Sequence, residues 1–364
     1  MFSAQVQYLV LYFVLLILVI SSLFTYGNGR TNFSQNKSSA VWLLLFMILI
    51  IGVREWSSPL FGDSRAYGLY IKLAVSPESV WYSKSKIFGY LYYYWNRLNL
   101  SPELFFIVSA TFYCVPMYFI SKRFAGKYSP YIFLLFFACG FGWYSFGVNG
   151  IRNGWAFSTM IWAFLAIYNR KTYISIALVV LAWCIHGSSL IPIGGMLAAY
   201  FYRKPGKALI IWIGCIIFSL TMGRFFQDYF ATYDFIADDG GGYLTGNMED
   251  TDVEFSHTGF RWDFILFSLP PILWGLHCIN SNLKKGNVDI YYNFLLCTYI
   301  YANAVWVLAI RSEYSNRMAQ TSWWMMPIIF AYPIYRMNIF SNRCKNAVIL
   351  LSFYYSFTFF MYFR

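Results

Sequence analysis

The sequence predicts an all-α integral membrane protein, a polytopic helical bundle of about twelve membrane segments with two long external loops. Of its 364 residues, 59% are hydrophobic and only 12% are charged, whereas soluble domains usually carry about 25% charged residues. The apolar residues form continuous runs, and these differ from the alternating short strands of a membrane β-barrel. A bilayer can cover this much apolar surface, and a single soluble core cannot.

Twelve apolar stretches account for the predicted segments. In order they cover roughly residues 5–25, 39–53, 104–121, 130–147, 154–168, 172–185, 188–202, 208–222, 264–279, 291–310, 320–335 and 346–362. Several are shorter than the roughly 20 residues that a straight crossing needs, so we expect some helices to be broken or enclosed. The stretch 87–98 (IFGYLYYYWNRL) is too short to cross and is typical of an interfacial or re-entrant segment.

The loops between these segments predict one transmembrane domain, residues 1–364, with external loops at about 54–103 and 223–263. Basic residues fill alternate short loops, for example at 122–127, 203–207 and 284–285. The positive-inside rule places these loops in the cytoplasm and both termini outside. The net charge of +12 thus reflects membrane topology, and we expect the lipid bilayer and no nucleic acid as partner.

Seven cysteines are scattered without the spacing of a zinc site, which predicts buried free thiols and no metal. The chain also lacks Walker A and GxGxxG patterns, so no cofactor is expected.

The stretch Gly52–Tyr70 (GVREWSSPLFGDSRAYGLY) is the first candidate site, since it follows an apolar run and gathers charges. It contains Arg54, Asp63 and Tyr67. One helical turn puts Asp63 and Tyr67 on the same face. The alternative is a solvated loop with a snorkelling arginine.

Two further candidates stand at the ends of apolar runs on the outer side. Arg152, in VNGIRNGWA, begins a helix whose free N–H groups and small neighbours suit a phosphate, although it also fits a topogenic arginine. His186, in WCIHGSSLIPI, suits a general base or a hydrogen-bond donor, and the alternative is a structural histidine. Ser188 and Ser189 are expected to cap the next helix.

The late part of the chain supplies the remaining candidates. Arg317 follows Glu313 in IRSEYSNRMAQ and precedes an apolar run, as Arg152 does. The polar, acidic loop Arg224–Asp263 is predicted to be a lid or a substrate-facing loop rather than a calcium site, because its spacing is not that of an EF-hand. His257 and Arg261 end this loop and are assigned to substrate binding.

These motifs, in this order, resemble the EpsG-like polysaccharide polymerases, the Wzy-type enzymes. GVREWSSPLFGDSRAY is similar to their arginine, Gly-x-Asp and Tyr signature, NGIRNGWA to their arginine helix start, HGSSLIPI to their His-Ser turn, and SNRM to their late arginine. Two departures are Lys84 and Lys86, where relatives often have an acidic residue, and Ser64, where an aromatic is often seen.

The resemblance implies a metal-independent glycosyltransferase in a bacterial inner membrane, with its active site facing the periplasm. Its substrate would be an undecaprenyl-pyrophosphate-linked oligosaccharide, polymerised into an O-antigen, capsule or exopolysaccharide. A chain-length regulator and a flippase would be partners in the same pathway. On this basis Arg152 and Arg317, with Arg54, stabilise the pyrophosphate leaving group. His186 is the candidate base, and Asp63 is the rival base or a ligand of the acceptor sugar.

Two other functions remain open at the level of sequence. An O-antigen-ligase-like transferase would use similar chemistry on a different acceptor. A flippase of lipid-linked sugars would also need arginines, but along the whole transport path. The gathering of charges on one side favours an enzyme.

Overall fold

A computed structural model describes residues 4–80, 85–231, 259–311 and 315–363. Within these ranges the chain is α-helical, with three 3₁₀ turns and no strand. Residues 1–186 and 334–364 form one compact unit, and residues 187–333 form a second. Residues 232–258 of the loop Arg224–Asp263, which include His257 and the acidic residues at 250–254, lie outside the described residues, as does Glu313.

The first unit holds the first three candidate motifs, as far as His186. Its helices are α1 (Ala4–Tyr26), α2 (Ser38–Gly52), α3 (Gly62–Leu73), α4 (Lys86–Arg97), α5 (Pro102–Ala125), α6 (Tyr131–Ala138), α7 (Trp143–Val148), α8 (Ile151–Tyr168), α9 (Thr172–Ile185) and, near the end of the chain, α16 (Arg343–Phe363).

The second unit holds the late motif. Its helices are α10 (Leu190–Phe201), α11 (Pro205–Ala231), α12 (Trp262–Lys284), α13 (Ile290–Leu308), α14 (Ser315–Trp323) and α15 (Met326–Arg336), of which the last few residues belong to the first unit.

Five helices in the described ranges are long and apolar enough to cross a membrane: α1, α5, Pro205–Gly223 of α11, α12 and α16. Three shorter apolar helices are Ser38–Gly52, Thr172–Ile185 and Gly187–Phe201. The predicted all-α membrane class is confirmed. The number of about twelve segments and the two external loops stay predictions.

Two predicted segments are each divided into two helices. The segment 130–147 forms α6 and α7, because the chain turns at residues 139–142 and Gly142 takes a left-handed conformation with φ of 88°, which glycine adopts without strain. The segment 320–335 is broken between Trp323 and Met326, just before Pro327, a residue that favours the first turn of a new helix.

In the first unit, α5 packs against α2 and α8, while α8 packs against α9 and α1 against α16. A Cβ on Gly52 would lie 2.9 Å from Cα of Ile107, so the end of α2 approaches α5 closely. The side-chain amide of Gln7 in α1 donates to the carbonyls of Ile50 at 2.6 Å and Val53 at 3.2 Å. These contacts fix the end of α2, from which the first motif continues.

The stretch 87–98 forms α4, which packs against α3 and the turn Pro77–Val80. With 12 residues it is too short to cross a bilayer. It buries Phe88, Gly89 and Tyr92 on one side. α3 and α4 therefore add a packed layer of aromatic side chains next to the ends of the longer helices.

In the second unit, α13 packs against α10, α11, α12 and α14. Asn303 of α13 is fully buried and receives a hydrogen bond from Nε1 of Trp212 at 2.6 Å. Its own amide group donates to Oγ of Ser268 at 3.1 Å and of Ser322 at 3.0 Å. One asparagine thus links helices α11, α12 and α14, as polar side chains do between membrane helices.

All seven cysteines are free thiols. Five of them are buried, Cys184 is exposed and Cys215 is half-buried. The prediction that most are buried free thiols is therefore confirmed.

Candidate functional site

Arg54 lies directly after α2 and is 1% exposed. Its Nε donates to Oγ of Ser64 at 3.0 Å, Nη1 to the carbonyl of Ile51 at 2.6 Å and Nη2 to the carbonyl of Val148 at 3.1 Å. Its guanidinium carbon lies 4.1 Å from the centre of the Phe106 ring, in a cation–π arrangement. One side chain thus connects the end of α2, the start of α3 and the end of α7.

Arg54 stays positively charged although it is buried. Burial lowers the pKa of Arg54 to about 9, and the nearby Tyr144, Tyr67 and Tyr8 act in the opposite direction. At neutral pH the guanidinium is therefore protonated, and its charge is spread over main-chain carbonyls and an aromatic face.

Ser64, one of the two departures noted in the sequence analysis, takes part in this arrangement. It is fully buried, and its hydroxyl donates to the Val148 carbonyl while accepting from Arg54. A large aromatic side chain in its place would occupy the space in which these three groups meet.

Asp63 and Tyr67 lie one turn apart in α3, as their spacing predicts. Asp63 is half-buried in the first turn, and Tyr67 is 6% exposed. The neighbouring Arg65 is exposed. The buried face of α3 therefore begins at Ser64 and continues through Tyr67.

Arg152 is the second residue of α8 and is half-buried. Gly150 precedes the helix, and no side chain caps its N-terminus. A Cβ on Gly154 would lie 2.8 Å from the carbonyl oxygen of Phe146, so only glycine allows the start of α8 to pack this closely on α7. An uncapped helix start with an arginine suits an anionic ligand.

His186 follows α9 in an extended conformation, and its side chain is half-buried. The preceding residue, Ile185, accepts a hydrogen bond at 3.3 Å from Oγ of Ser85, just before α4. The expected capping by serines is wrong for Ser189: it precedes α10, but its hydroxyl makes no capping bond. Its helical φ and ψ, −63° and −16°, differ from the extended conformation of a capping residue.

The first three motifs converge on one hydrophobic cluster in the first unit. Tyr67 of the first motif, Ile151 beside Arg152, and Ile185 beside His186 all belong to it. The same cluster includes Phe106, on which Arg54 lies, and Tyr92 of α4. Three stretches that are far apart in the chain are therefore brought together, and we define this region as the candidate site.

The second unit holds the two other described candidates. Arg261 makes a bidentate ion pair with Asp263, with distances of 2.9 Å and 2.7 Å, and lies 3.8 Å over the Phe264 ring. Arg317 is exposed in the first turn of α14. Their assignment to substrate binding stays a prediction, as does that of His257.

Sequence reasoning missed two features of the site. Tyr92 and Phe88 are four residues apart on the buried face of α4, and this spacing is the signal that was available in the stretch 87–98. No pattern in the sequence around Arg54 predicts that this side chain is buried. Among the described residues, no three metal-type side chains come together.

The sequence model of the EpsG family matches residues 39–364, from the start of α2 through every later helix. No curated protein and no solved structure matches the chain.

The buried contacts of Arg54 predict that its loss destabilises the fold. We expect Arg54→Ala to lower the free energy of unfolding by about 2–4 kcal/mol, because charged hydrogen bonds are lost and a cavity remains. Arg54→Lys should also destabilise, since an ammonium cannot reach three acceptors in one plane. Thermal unfolding in detergent, followed by tryptophan fluorescence, measures the effect.

Arg65→Ala is the matched control, since Arg65 is an exposed arginine in the same region. It should change the free energy of unfolding by no more than about 0.5 kcal/mol. Equal melting temperatures for Arg54→Ala and Arg65→Ala would contradict the role given to Arg54.

Proposed function

The chain belongs to the EpsG family, and from this premise we propose that it polymerises lipid-pyrophosphate-linked oligosaccharide repeat units into a surface polysaccharide. The family implies a membrane polysaccharide polymerase of the glycosyltransferase type. The lipid donor, the direction of the site towards the periplasm and the residue roles below belong to the proposal. The observation that carries it is the convergence of three motifs on one cluster.

The proposed reaction transfers a growing glycan from undecaprenyl pyrophosphate to a new lipid-linked repeat. A hydroxyl oxygen of the new repeat attacks the anomeric carbon of the growing chain. The bond from that carbon to the pyrophosphate oxygen breaks, and undecaprenyl pyrophosphate leaves with the electron pair. The hydroxyl proton passes to a base on the protein.

Arg152 is the side chain best placed to assist the leaving group within the first unit. Negative charge develops on the pyrophosphate as the bond breaks, and a guanidinium next to uncapped helical N–H groups stabilises it. Arg54 helps to position Arg152, because it donates a hydrogen bond to the carbonyl of Val148, just before the turn that leads to Arg152. The predicted direct contact of Arg54 with pyrophosphate stays a prediction.

Two residues of the first unit are the candidates for the base. His186 lies at the end of α9 beside Ile185 of the cluster. Asp63 lies in the first turn of α3, one turn before Tyr67 of the same cluster. In the proposal His186 takes the proton, and Asp63 is the rival base or binds the acceptor sugar.

Glycan length in a strain without this protein tests the proposed function. We expect single lipid-linked repeats when the protein is absent, and a ladder of polymer when it is restored from a plasmid. The experiment separates the alternatives. Loss of a flippase would also give single repeats, but on the cytoplasmic side of the membrane, which an assay of sidedness detects. Loss of a ligase-like transferase would leave polymer that is not joined to its acceptor.

Arg152→Lys and Arg317→Lys should both shorten the ladder, although each keeps a positive charge. The planar guanidinium makes two parallel bonds to phosphate oxygens, and an ammonium does not. Loss of one charged contact costs about 1.5–3 kcal/mol, or roughly 10–150-fold in rate. Arg97→Lys, at an exposed arginine of α4, is the control. Ladders of normal length from Arg152→Lys, at equal expression, would show that this arginine serves only topology.

His186→Ala should insert normally and reduce polymer formation by about 10²-fold or more, the usual contribution of a general base. His186→Gln keeps a donor and an acceptor but cannot take up a proton. His277→Ala, at an exposed histidine of α12, should keep full activity. If His186→Gln restores activity, then His186 only orients the acceptor and Asp63 becomes the leading candidate for the base. Loss of the Ala variant from the membrane would favour a structural histidine.

A further inference from the structure

The hydroxyl of Tyr92 has no hydrogen-bond partner in the described part of the chain. The residue lies in α4 and is 5% exposed, so water does not replace the missing partner. Buried tyrosine hydroxyls normally find a partner, and one that lacks it destabilises the fold. An orphaned hydroxyl in a native fold therefore needs an explanation, and a ligand is one.

The ring of Tyr92 is held firmly in place. Ring centres lie 5.8 Å away at Phe88 and at Phe105, 6.0 Å away at Tyr70 and 6.3 Å away at Tyr67. Four aromatic neighbours leave little freedom for the hydroxyl to swing to another partner.

The same packing joins α4 to the start of α8. Phe88 lies 5.1 Å from the ring of Trp155, and Trp155 is fixed by a 2.7 Å hydrogen bond to Oγ of Ser109. Trp155 is one turn after Arg152 in α8, as Phe88 is one turn before Tyr92 in α4. Ile151 belongs to the same cluster as Tyr92. The ring contact of Phe88 with Trp155 therefore joins α4 to α8 one turn after Arg152.

Electrostatics agree with this geometry. Burial raises the pKa of Tyr92, the neighbouring Tyr67 raises it further, and the charge of Arg152 lowers it. The charge of Arg152 thus acts on the Tyr92 hydroxyl, but no hydrogen bond joins the two side chains.

One kind of atom can accept hydrogen bonds from both groups. Arginine has only donors, and the Tyr92 O–H needs an acceptor. An anionic phosphate oxygen accepts from both at once. The side-chain oxygen of Asn149, three residues before Arg152, is also buried without a hydrogen-bond partner. It is an acceptor, which a sugar hydroxyl matches and a phosphate oxygen does not.

We infer that Tyr92 is a ligand-binding residue whose hydroxyl donates to a phosphate oxygen of the group held by Arg152, while Asn149 accepts from a hydroxyl of the attached sugar. The ligand class is a glycosyl pyrophosphate. The inference rests on the proposed function, in which Arg152 binds pyrophosphate, and adds two residues to that site.

The test is titration of the purified full-length protein, in detergent, with inorganic pyrophosphate, followed by tryptophan fluorescence. Tyr92→Phe removes only the oxygen and keeps the ring. The dissociation constant for pyrophosphate should rise roughly 10–150-fold, the range for a hydrogen bond to a charged group. The melting temperature without ligand should stay the same or increase, because an unsatisfied buried hydroxyl has been removed.

Tyr292→Phe is the matched control. Tyr292 is also fully buried, but its hydroxyl donates to the carbonyl of Ile329 at 2.8 Å. Its loss should lower the melting temperature and leave the dissociation constant unchanged. A melting temperature for Tyr92→Phe that falls as far as that of Tyr292→Phe would indicate a structural hydroxyl and overturn the inference.

A second titration separates the possible sources of phosphate. Micelles doped with phosphatidylglycerol present a phosphodiester headgroup, which should neither bind in this way nor compete with pyrophosphate. Equal competition by phosphatidylglycerol, or no saturable response of the wild-type protein to pyrophosphate, would overturn the assignment.

Glycan ladders distinguish this inference from the proposed function. If the wild-type protein restores polymer, and Tyr92→Phe gives normal ladders with unchanged pyrophosphate binding, the inference is wrong and the proposed function stands. If the wild-type protein restores no polymer but Tyr92→Phe weakens pyrophosphate binding, the phosphate site stands and the polymerase function is wrong.

Discussion

The enclosure of Arg54 is the constraint on which the candidate site depends. A guanidinium that is shut off from water must have its donors satisfied by the protein. Ile51, Ser64 and Val148 provide the acceptors, and Phe106 provides an aromatic face. These residues belong to four helices or their ends, so satisfying one side chain also sets the start of α3 and the end of α7. The turn that leads to Arg152 begins at the next residue after Val148.

The aromatic side chains of the first unit hold the helices of the candidate site together. Lipid gives no hydrophobic driving force between helices, so packing and hydrogen bonds must hold them. Phe88 and Tyr92 fill the space between α4, α5 and α8, and Trp155 adds both a ring contact and a hydrogen bond. A packed layer of rings positions Arg152 and the end of α9 more firmly than a loop of 50 polar residues would.

In the second unit, a hydrogen-bond network holds the helices together. There a buried asparagine, Asn303, satisfies all of its polar groups with Trp212, Ser268 and Ser322. A fully satisfied network of this kind stabilises a unique arrangement of helices. Tyr92 and Asn149 differ from Asn303, because each has a buried side-chain oxygen without a hydrogen-bond partner, and for this reason we regard these two residues as functional. A buried polar group with all its hydrogen bonds contributes to stability, whereas a buried polar group without a partner destabilises the fold and so needs another explanation.

The sequence by itself determined the helical membrane class, the helix-forming stretches and the family. Long apolar runs must form helices in lipid, since each backbone group has to find its partner within the same segment. Local chemistry also sets two helix starts, because the side chains of Ser101 and Asp289 accept hydrogen bonds from first-turn N–H groups of α5 and α13. The short motifs around Arg54, Arg152 and His186 were visible because they interrupt apolar sequence.

Only the tertiary structure decided what those residues contact. The burial of Arg54 and its hydrogen bond to the Val148 carbonyl depend on neighbours that the local sequence does not specify. The failure of Ser189 to cap α10 follows from the helical backbone conformation that this residue takes. The orphaned hydroxyl of Tyr92 was likewise invisible, since a hydrogen bond is made or missed by residues distant in the chain. The physical reason is that helix formation is satisfied locally, whereas burial and side-chain pairing are fixed only when separate helices meet.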